Sequence, residues 1–136
     1  MRDNESKNVQ LVADIYAAFG RGDIAFVLNA LAEDVEWHFP GPEGIPLAGN
    51  RRGRQQVAQF FTVIGETLDV EAFGVEEIIA QEEKVIALGH ERMRCKTTGR
   101  TYETCWAHVF TLRDGKIASF REYTDTAAIA HAYSLQ

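Results

Sequence analysis

The sequence predicts an α+β fold, with helices gathered onto one face of a curled antiparallel sheet. Three observations carry that prediction. Apolar residues recur at three- and four-residue spacing between Ser6 and Leu68, interrupted by one short strand and a proline-rich loop. From Asp69 to Asp125 the period drops to two, with turn residues between successive runs. The connections in that second region are short, so neighbouring strands pair antiparallel and the helices must cover one sheet face. A strongly twisted sheet with helices across it encloses a cone, which is the natural place for a site.

Each element has its own warrant. Ser6 to Gly20 is an amphipathic helix in which Val9, Val12, Tyr16 and Phe19 draw one apolar stripe. Leu11 and Ile15 widen that stripe, and Ala13 keeps the other side small. Ser6 can cap the start, and Gly20 or Gly22 ends the helix. Asp23 caps a second, shorter helix carrying Ile24, Val27, Leu28 and Leu31. Val35 to Phe39 is a short strand in which Val35, Trp37 and Phe39 alternate with Glu36 and His38. Pro40 to Asn50, with three prolines and three glycines, is a loop. Gly53 to Leu68 is the third helix, burying Val57, Phe60, Phe61, Ile64 and Leu68. Asp69 to Gln81 and Lys84 to Thr97 are strands, with Gly74 a candidate bulge in the first. Thr98-Gly99 turns the chain into a last hairpin. The alanine-rich Thr126 to Tyr133 is a short helix capped by Asp125.

The hairpin, Cys105 to Asp125, concentrates the chemistry. Asp114-Gly115 suits a tight turn, and two loop lengths are open. A two-residue loop pairs Leu112 with Ile117; a three-residue loop with a glycine bulge pairs Leu112 with Lys116. The second is favoured. It places Trp106, His108, Phe110 and Leu112 on one face with Phe120, Glu122 and Thr124, and Lys116 at the tip. That face is apolar but for one imidazole and one carboxylate, as a small-molecule site would be. A carboxylate beside His108 can orient and charge the imidazole, making it a general acid or base near neutral pH. Tyr16 can lend a phenol. Trp37, Phe39, Phe60, Trp106, Phe110 and Phe120 are expected as walls that select ligand shape. His90 is a candidate ligand contact whose face depends on a strand register that the Thr98-Gly99 turn leaves open. His38 and His131 are expected to face solvent.

Composition sets outer bounds. The 136 residues form one domain, long enough to bury a sizeable core. They are 46% hydrophobic and 25% charged, as in an ordinary globular protein. A net charge of -6 and a pI near 5.2 offer no basic stripe for nucleic acid. Arg51, Arg52 and Arg54 read as a solvated loop and helix start. No apolar run is long enough to span a membrane, and the polar N-terminus does not resemble a signal peptide, so the cytoplasm is expected. Cys95 and Cys105, on different strands, are read as free thiols. There is no CxxC, HExxH or P-loop and no metal-ligand spacing, so no cofactor and no metal are expected.

Several short stretches carry a resemblance. They are Gly22-Asp23, Ala32-Glu33-Asp34-Val35-Glu36-Trp37 with Pro40-Gly41, Leu47-Ala48-Gly49, Arg52-Gly53-Arg54 and Phe60-Phe61. Asp114-Gly115-Lys116-Ile117 and Arg121-Glu122-Tyr123-Thr124-Asp125 complete the set. The order of elements and these residues resemble the nuclear-transport-factor-2-like (NTF2-like) superfamily, nearest its SnoaL-like branch. The resemblance implies an NTF2-like cone: three N-terminal helices packed on a curved antiparallel sheet, shared by ketosteroid isomerases, polyketide cyclases, limonene epoxide hydrolases and non-catalytic binding members. The isomerases' general-base aspartate falls on Phe39, so that base is missing. Their oxyanion-hole tyrosine falls on Ile15, one residue from Tyr16, and their protonated aspartate on His108. The epoxide hydrolases' Asp-Arg-Asp set finds candidate arginines in Arg92 and Arg94 but only one inward acid. The cyclases' acid/base aspartate lies in the region of Glu122 and Asp125.

The expected function is therefore a SnoaL-like pocket protein for a small apolar molecule. As an enzyme it would be a cofactor-free isomerase, cyclase or hydratase using His108 and Glu122. The alternative is a binding or accessory module without turnover. The resemblance also implies a homodimer through the outer sheet face, with Arg121 and Tyr123 as interface candidates.

Overall fold

In the computed structural model, which describes residues 2–134, the chain runs α1 (Arg2–Gly20), α2 (Ile24–Asn29), β1 (Leu31–Phe39), β2 (Gly49–Arg52) and α3 (Gly53–Thr67). It continues β3 (Leu68–Gln81), β4 (Lys84–Cys95), β5 (Thr101–Arg113), β6 (Lys116–Thr124) and α4 (Thr126–Tyr133). The strands form one curved, unclosed sheet in the order β2-β1-β6-β5-β4-β3. The α+β architecture expected of the sequence is the one observed. Among the described residues no helix is long and apolar enough to cross a membrane.

α1 begins at Arg2, ahead of Ser6, so Ser6 lies within the helix instead of capping it. Its buried line is Val12, Ile15 and Ala18, one step round from the predicted stripe; Tyr16 and Phe19 sit half-buried at the stripe's edge. The helix closes with Gly22 N–H donating to the Phe19 carbonyl at 3.1 Å and Asp23 N–H to the Ala18 carbonyl at 2.8 Å. The Asp23 carboxylate then accepts from Phe26 N–H at 3.1 Å and starts α2.

Leu31, expected on the second helix, instead opens β1. The Ala30 carbonyl accepts from Ile117 N–H at 2.9 Å. The Leu31 carbonyl accepts from Arg54 Nε and Nη2 at 2.9 and 2.7 Å. Backbone groups that would have extended the helix are thus satisfied by β6 and α3. β1 also runs parallel to β6, a correction to a wholly antiparallel sheet. An intervening helix and a three-strand meander separate β1 from β6, and over that length either direction can be reached. β2, which overlaps the end of the expected loop, is four mostly exposed residues held by backbone pairing to β1, with no apolar period to reveal it. Leu68 opens β3 and also caps α3, its N–H donating to the Ile64 carbonyl.

The hairpin tip differs from the favoured three-residue loop. Asp114 and Gly115 both take positive φ (53° and 75°), as in the two-residue turn whose twist matches its strands. Arg113 faces Lys116 and Leu112 faces Ile117. The register then shifts between Leu112 and Thr111, which leaves Ala118 as the extra residue of a bulge. Beyond the bulge Phe110 faces Phe120 and His108 faces Glu122. The expected set of inward residues is thus kept, by a bulge inside β6 and not at the tip. Lys116 leaves that face, and its Nζ donates to the Asn29 carbonyl at 2.7 Å. In β3 the irregularities lie at 70/72 and 75/77, while Gly74 itself pairs regularly with His90.

The core fills the space between the sheet's inner face and the helices, with Val12, Val27, Val57, Val85, Ile117 and Ile129 fully buried. Gly89 permits one close approach: a Cβ there would lie 2.3 Å from both the Trp106 ring and the Gly74 carbonyl. Trp106 therefore lies flat against β4. α4 covers β4 and β5; Asp125 caps it by accepting from Ala128 N–H at 3.1 Å. Cys95 (buried) and Cys105 (exposed) are both free thiols. Arg121 and Tyr123 lie exposed on the outer face.

Candidate active site

The cone encloses an apolar cavity of about 80 Å³. Its walls include Trp37 and Phe39 from β1, Phe60 from α3, Phe110 from β5 and Phe120 from β6. Alternation explains each: these are the inward positions of half-buried strands and of the α3 apolar stripe. Trp37 stacks on Phe120 with centroids 4.0 Å apart and meets Phe60 edge-on at 5.6 Å.

Three polar side chains form a continuous chain on this wall. His108 Nε2 lies 2.9 Å from Glu122 Oε1, and His108 Nδ1 lies 2.6 Å from the Tyr16 hydroxyl. The His108 and Glu122 side chains are only 8% and 6% exposed. β5 and β6 supply the pair as direct cross-strand neighbours, and α1 lowers Tyr16 onto it. With the Glu122 carboxylate as acceptor, Nε2 carries the proton it donates. The neutral ring then offers the Nδ1 lone pair, and the Tyr16 hydroxyl donates to it. If the ring gains a proton, the direction reverses and Nδ1 donates to the phenol oxygen. Burial, reinforced by the Glu122 charge, pushes the Tyr16 phenol far above its ordinary range, so a free phenolate is disfavoured.

Trp106 stands behind this layer, outside the cavity wall. Its ring stacks on His108 at 3.9 Å and 12° and on Tyr16 at 5.8 Å. It packs against the imidazole and is not among the residues that line the cavity. His90, a candidate ligand contact, faces the opposite side of β4, exposed, with Nδ1 2.9 Å from Glu76 Oε2. His131 is exposed, and the half-buried His38 bonds to Asn50 outside the cone. Arg92 and Arg94 also point outward, to Glu71 and Asp69, and among the described residues no arginine lines the cavity. Among the described residues no group of three or more His, Cys, Asp or Glu side chains is arranged to hold a metal.

The inward acid that sequence reasoning missed is Glu91, next to His90 on β4. The cavity thus holds two acids, not one. Burial, and then the Glu122 charge, push the Glu91 carboxyl up to about 8, against the opposing pull of a hydrogen bond from Tyr102. Tyr102, also on the wall, is raised by burial and by Glu91. Alternation from Val85 through Ala87, Gly89 and Met93 would have placed Glu91 inward. The signal was hidden because the other face of β4 carries Ile86 and Leu88, and neither face is uniformly apolar.

Residues 12–120 match the family model of the SnoaL-like domain. The chain is 30% identical over 130 residues to an uncharacterized protein of Mycobacterium tuberculosis H37Rv, covering 91% of this chain and 94% of that one. It superposes on an NTF2-like protein of Burkholderia xenovorans LB400 with a TM-score of 0.87 and 40% identity, over 96% and 98% of the two chains. It also superposes on TerC, co-crystallised with polyporic acid, with a TM-score of 0.83 and 26% identity, over 93% and 98%. A cone walled by the first strand, the third helix and the last hairpin, together with a family match over most of the chain, makes this protein a member of the SnoaL-like family with the NTF2-like fold.

Proposed function

We propose that the protein is a cofactor-free acid/base catalyst, of isomerase or cyclase type, for a small and largely apolar carbonyl compound. The observation that carries this reading is the unbroken Glu122–His108–Tyr16 chain ending on the cavity wall. A proton on a ligand carbon beside a carbonyl can pass to the Tyr16 oxygen while the phenol proton moves to His108 Nδ1. The resulting imidazolium is held between the Glu122 carboxylate and the phenol. Because the two transfers are coupled, no buried phenolate forms. Return of the proton at another carbon completes an isomerisation; attack of the enol carbon on a second carbonyl closes a ring. Phe39 stands where the ketosteroid isomerases carry their base, so that duty falls to the relay. The largely apolar walls lower the local dielectric, which strengthens each polar contact inside.

Hydrogen–deuterium exchange at the α-carbon of 2-tetralone, followed by proton NMR in D₂O, tests this. The wild type is expected to accelerate exchange over buffer, and Tyr16→Phe and His108→Ala to lose about 10²–10⁴-fold, the usual contribution of a positioned acid or base. Wild-type turnover by both variants would remove the relay from the mechanism. One observation favours a second reading, ligand binding without turnover: the cavity, lined largely by aromatic side chains, is only about 80 Å³. Binding of 2-tetralone with no exchange would establish that reading.

A further inference from the structure

Glu91 is a buried carboxyl on the cavity wall that the relay does not use. It lies directly across from Thr104 in the β4–β5 ladder and is 6% exposed. Among the described residues it makes no ion pair, whereas Glu122 on the same cavity has the His108 imidazole at 2.9 Å. The two carboxyls therefore differ in partner: one faces a ring that can carry positive charge, the other faces phenols. The titratable groups around Glu91 are Tyr102 of β5, Glu122 of β6 and Tyr133 of α4, with Tyr16 and His108 further along the wall. β3 and α3 contribute Phe73 and Ile64, which are apolar. Among the described residues no cationic side chain pairs with it. An unpaired carboxylate in such a place is costly, and the uncharged acid is the form this environment holds.

We propose that Glu91 is a second catalytic group of this cavity, the acid that donates its proton to a carbonyl oxygen of the ligand while the Tyr16–His108–Glu122 relay takes the proton from the neighbouring carbon. This rests on the relay reading above and adds the substrate class: a compact, neutral, enolisable ketone or 1,3-diketone. In the step, the C–H bond breaks and its electron pair becomes the enol double bond. The carbonyl π pair moves onto oxygen, which takes the Glu91 proton. The carbon's proton reaches Tyr16 as the phenol proton passes to His108. Glu91 is left as carboxylate and His108 as imidazolium, so charge is conserved. Carboxylate ligands are disfavoured, because neither acid offers them a counter-charge. Two carboxyls set apart by their surroundings in one cleft are how a single site supplies both an acid and a base. The elevation of the Glu91 carboxyl to about 8 agrees with that division.

The test is the pH profile of 2-tetralone exchange in the wild type, Glu91→Gln and Glu91→Leu, with binding of 2-tetralone followed in parallel by tryptophan fluorescence. Wild-type exchange should fall off above about pH 8. Glu91→Gln, whose amide can hydrogen-bond the carbonyl oxygen but cannot give up a proton, should lose about 10²-fold or more and the alkaline limb with it, as should Glu91→Leu. Wild-type rates in Glu91→Leu, or an unchanged alkaline limb in Glu91→Gln, would overturn the proposal. If the wild type exchanges nothing, the relay reading fails. Binding then decides Glu91 separately: affinity that weakens above pH 8 in the wild type and not in Glu91→Gln keeps it as the donor to the ketone, and matching profiles remove it.

Discussion

The Tyr16 hydroxyl and His108 Nδ1 are joined by a 2.6 Å hydrogen bond, and the Trp106 ring stacks on the imidazole. At this scale each group's behaviour follows from what touches it. Glu91 senses the charge of Glu122, so Glu122→Gln should bring the Glu91 midpoint below about 8. Carbon-13 NMR of labelled glutamate carboxyls reads that shift, and an unmoved midpoint would mean the two acids do not interact. Trp37 is both wall and core, stacked on Phe120 and buttressed by Phe60 and Phe61. Trp37→Ala should therefore cost about 3–5 kcal/mol of stability, as core aromatic truncations do, measurable by urea unfolding. A loss well under 1 kcal/mol, on that same scale, would mean its ring packs loosely.

The elements were legible wherever a local signal set them. Asp23 and Asp125 cap the helices that follow them, each through a carboxylate three residues before the amide it accepts from. Asp125→Ala should lower stability by about 1 kcal/mol and loosen α4 over β5, seen as faster amide exchange at Ala128. Protection unchanged at Ala128 would mean that tertiary contacts alone hold the helix. The hairpin shows where local signals stop. Asp114-Gly115 marked the turn, yet no residue type announced the bulge at Ala118. That bulge sets the parity by which Phe120 and Glu122 face inward. Leu31 likewise had the right helical spacing for α2, and lost to Arg54 and β6, which claim the neighbouring carbonyls.

Across the whole molecule, a buried acid ties folding to pH. Glu91 ionises near an ordinary 4.5 when unfolded and near 8 when folded, so between those values the native state binds more protons. Stability must then fall as pH rises through that window, by up to roughly 1.4 kcal/mol per pH unit from this group alone. Below pH 4.5 the contribution is flat. Urea unfolding of wild type and Glu91→Gln at pH 5, 6.5 and 8 should show the wild type losing stability relative to the variant, since the amide cannot ionise. Parallel profiles would show that Glu91 does not titrate in this window.

The amino-acid sequence by itself determined the change of period at the start of the sheet, the Asp23 and Asp125 caps and the Asp114-Gly115 turn. All of these are written in neighbours a few residues apart. The tertiary structure decided what depends on distant partners. It ran β1 parallel beside β6, set His108 opposite Glu122, and brought Tyr16 from α1 onto Nδ1. It also put His90 outside and Glu91 within, on a strand whose outer face still carries Ile86 and Leu88 among its basic residues. Alternation tells a reader that neighbouring side chains part ways; only the packed helices and strands say which way is in.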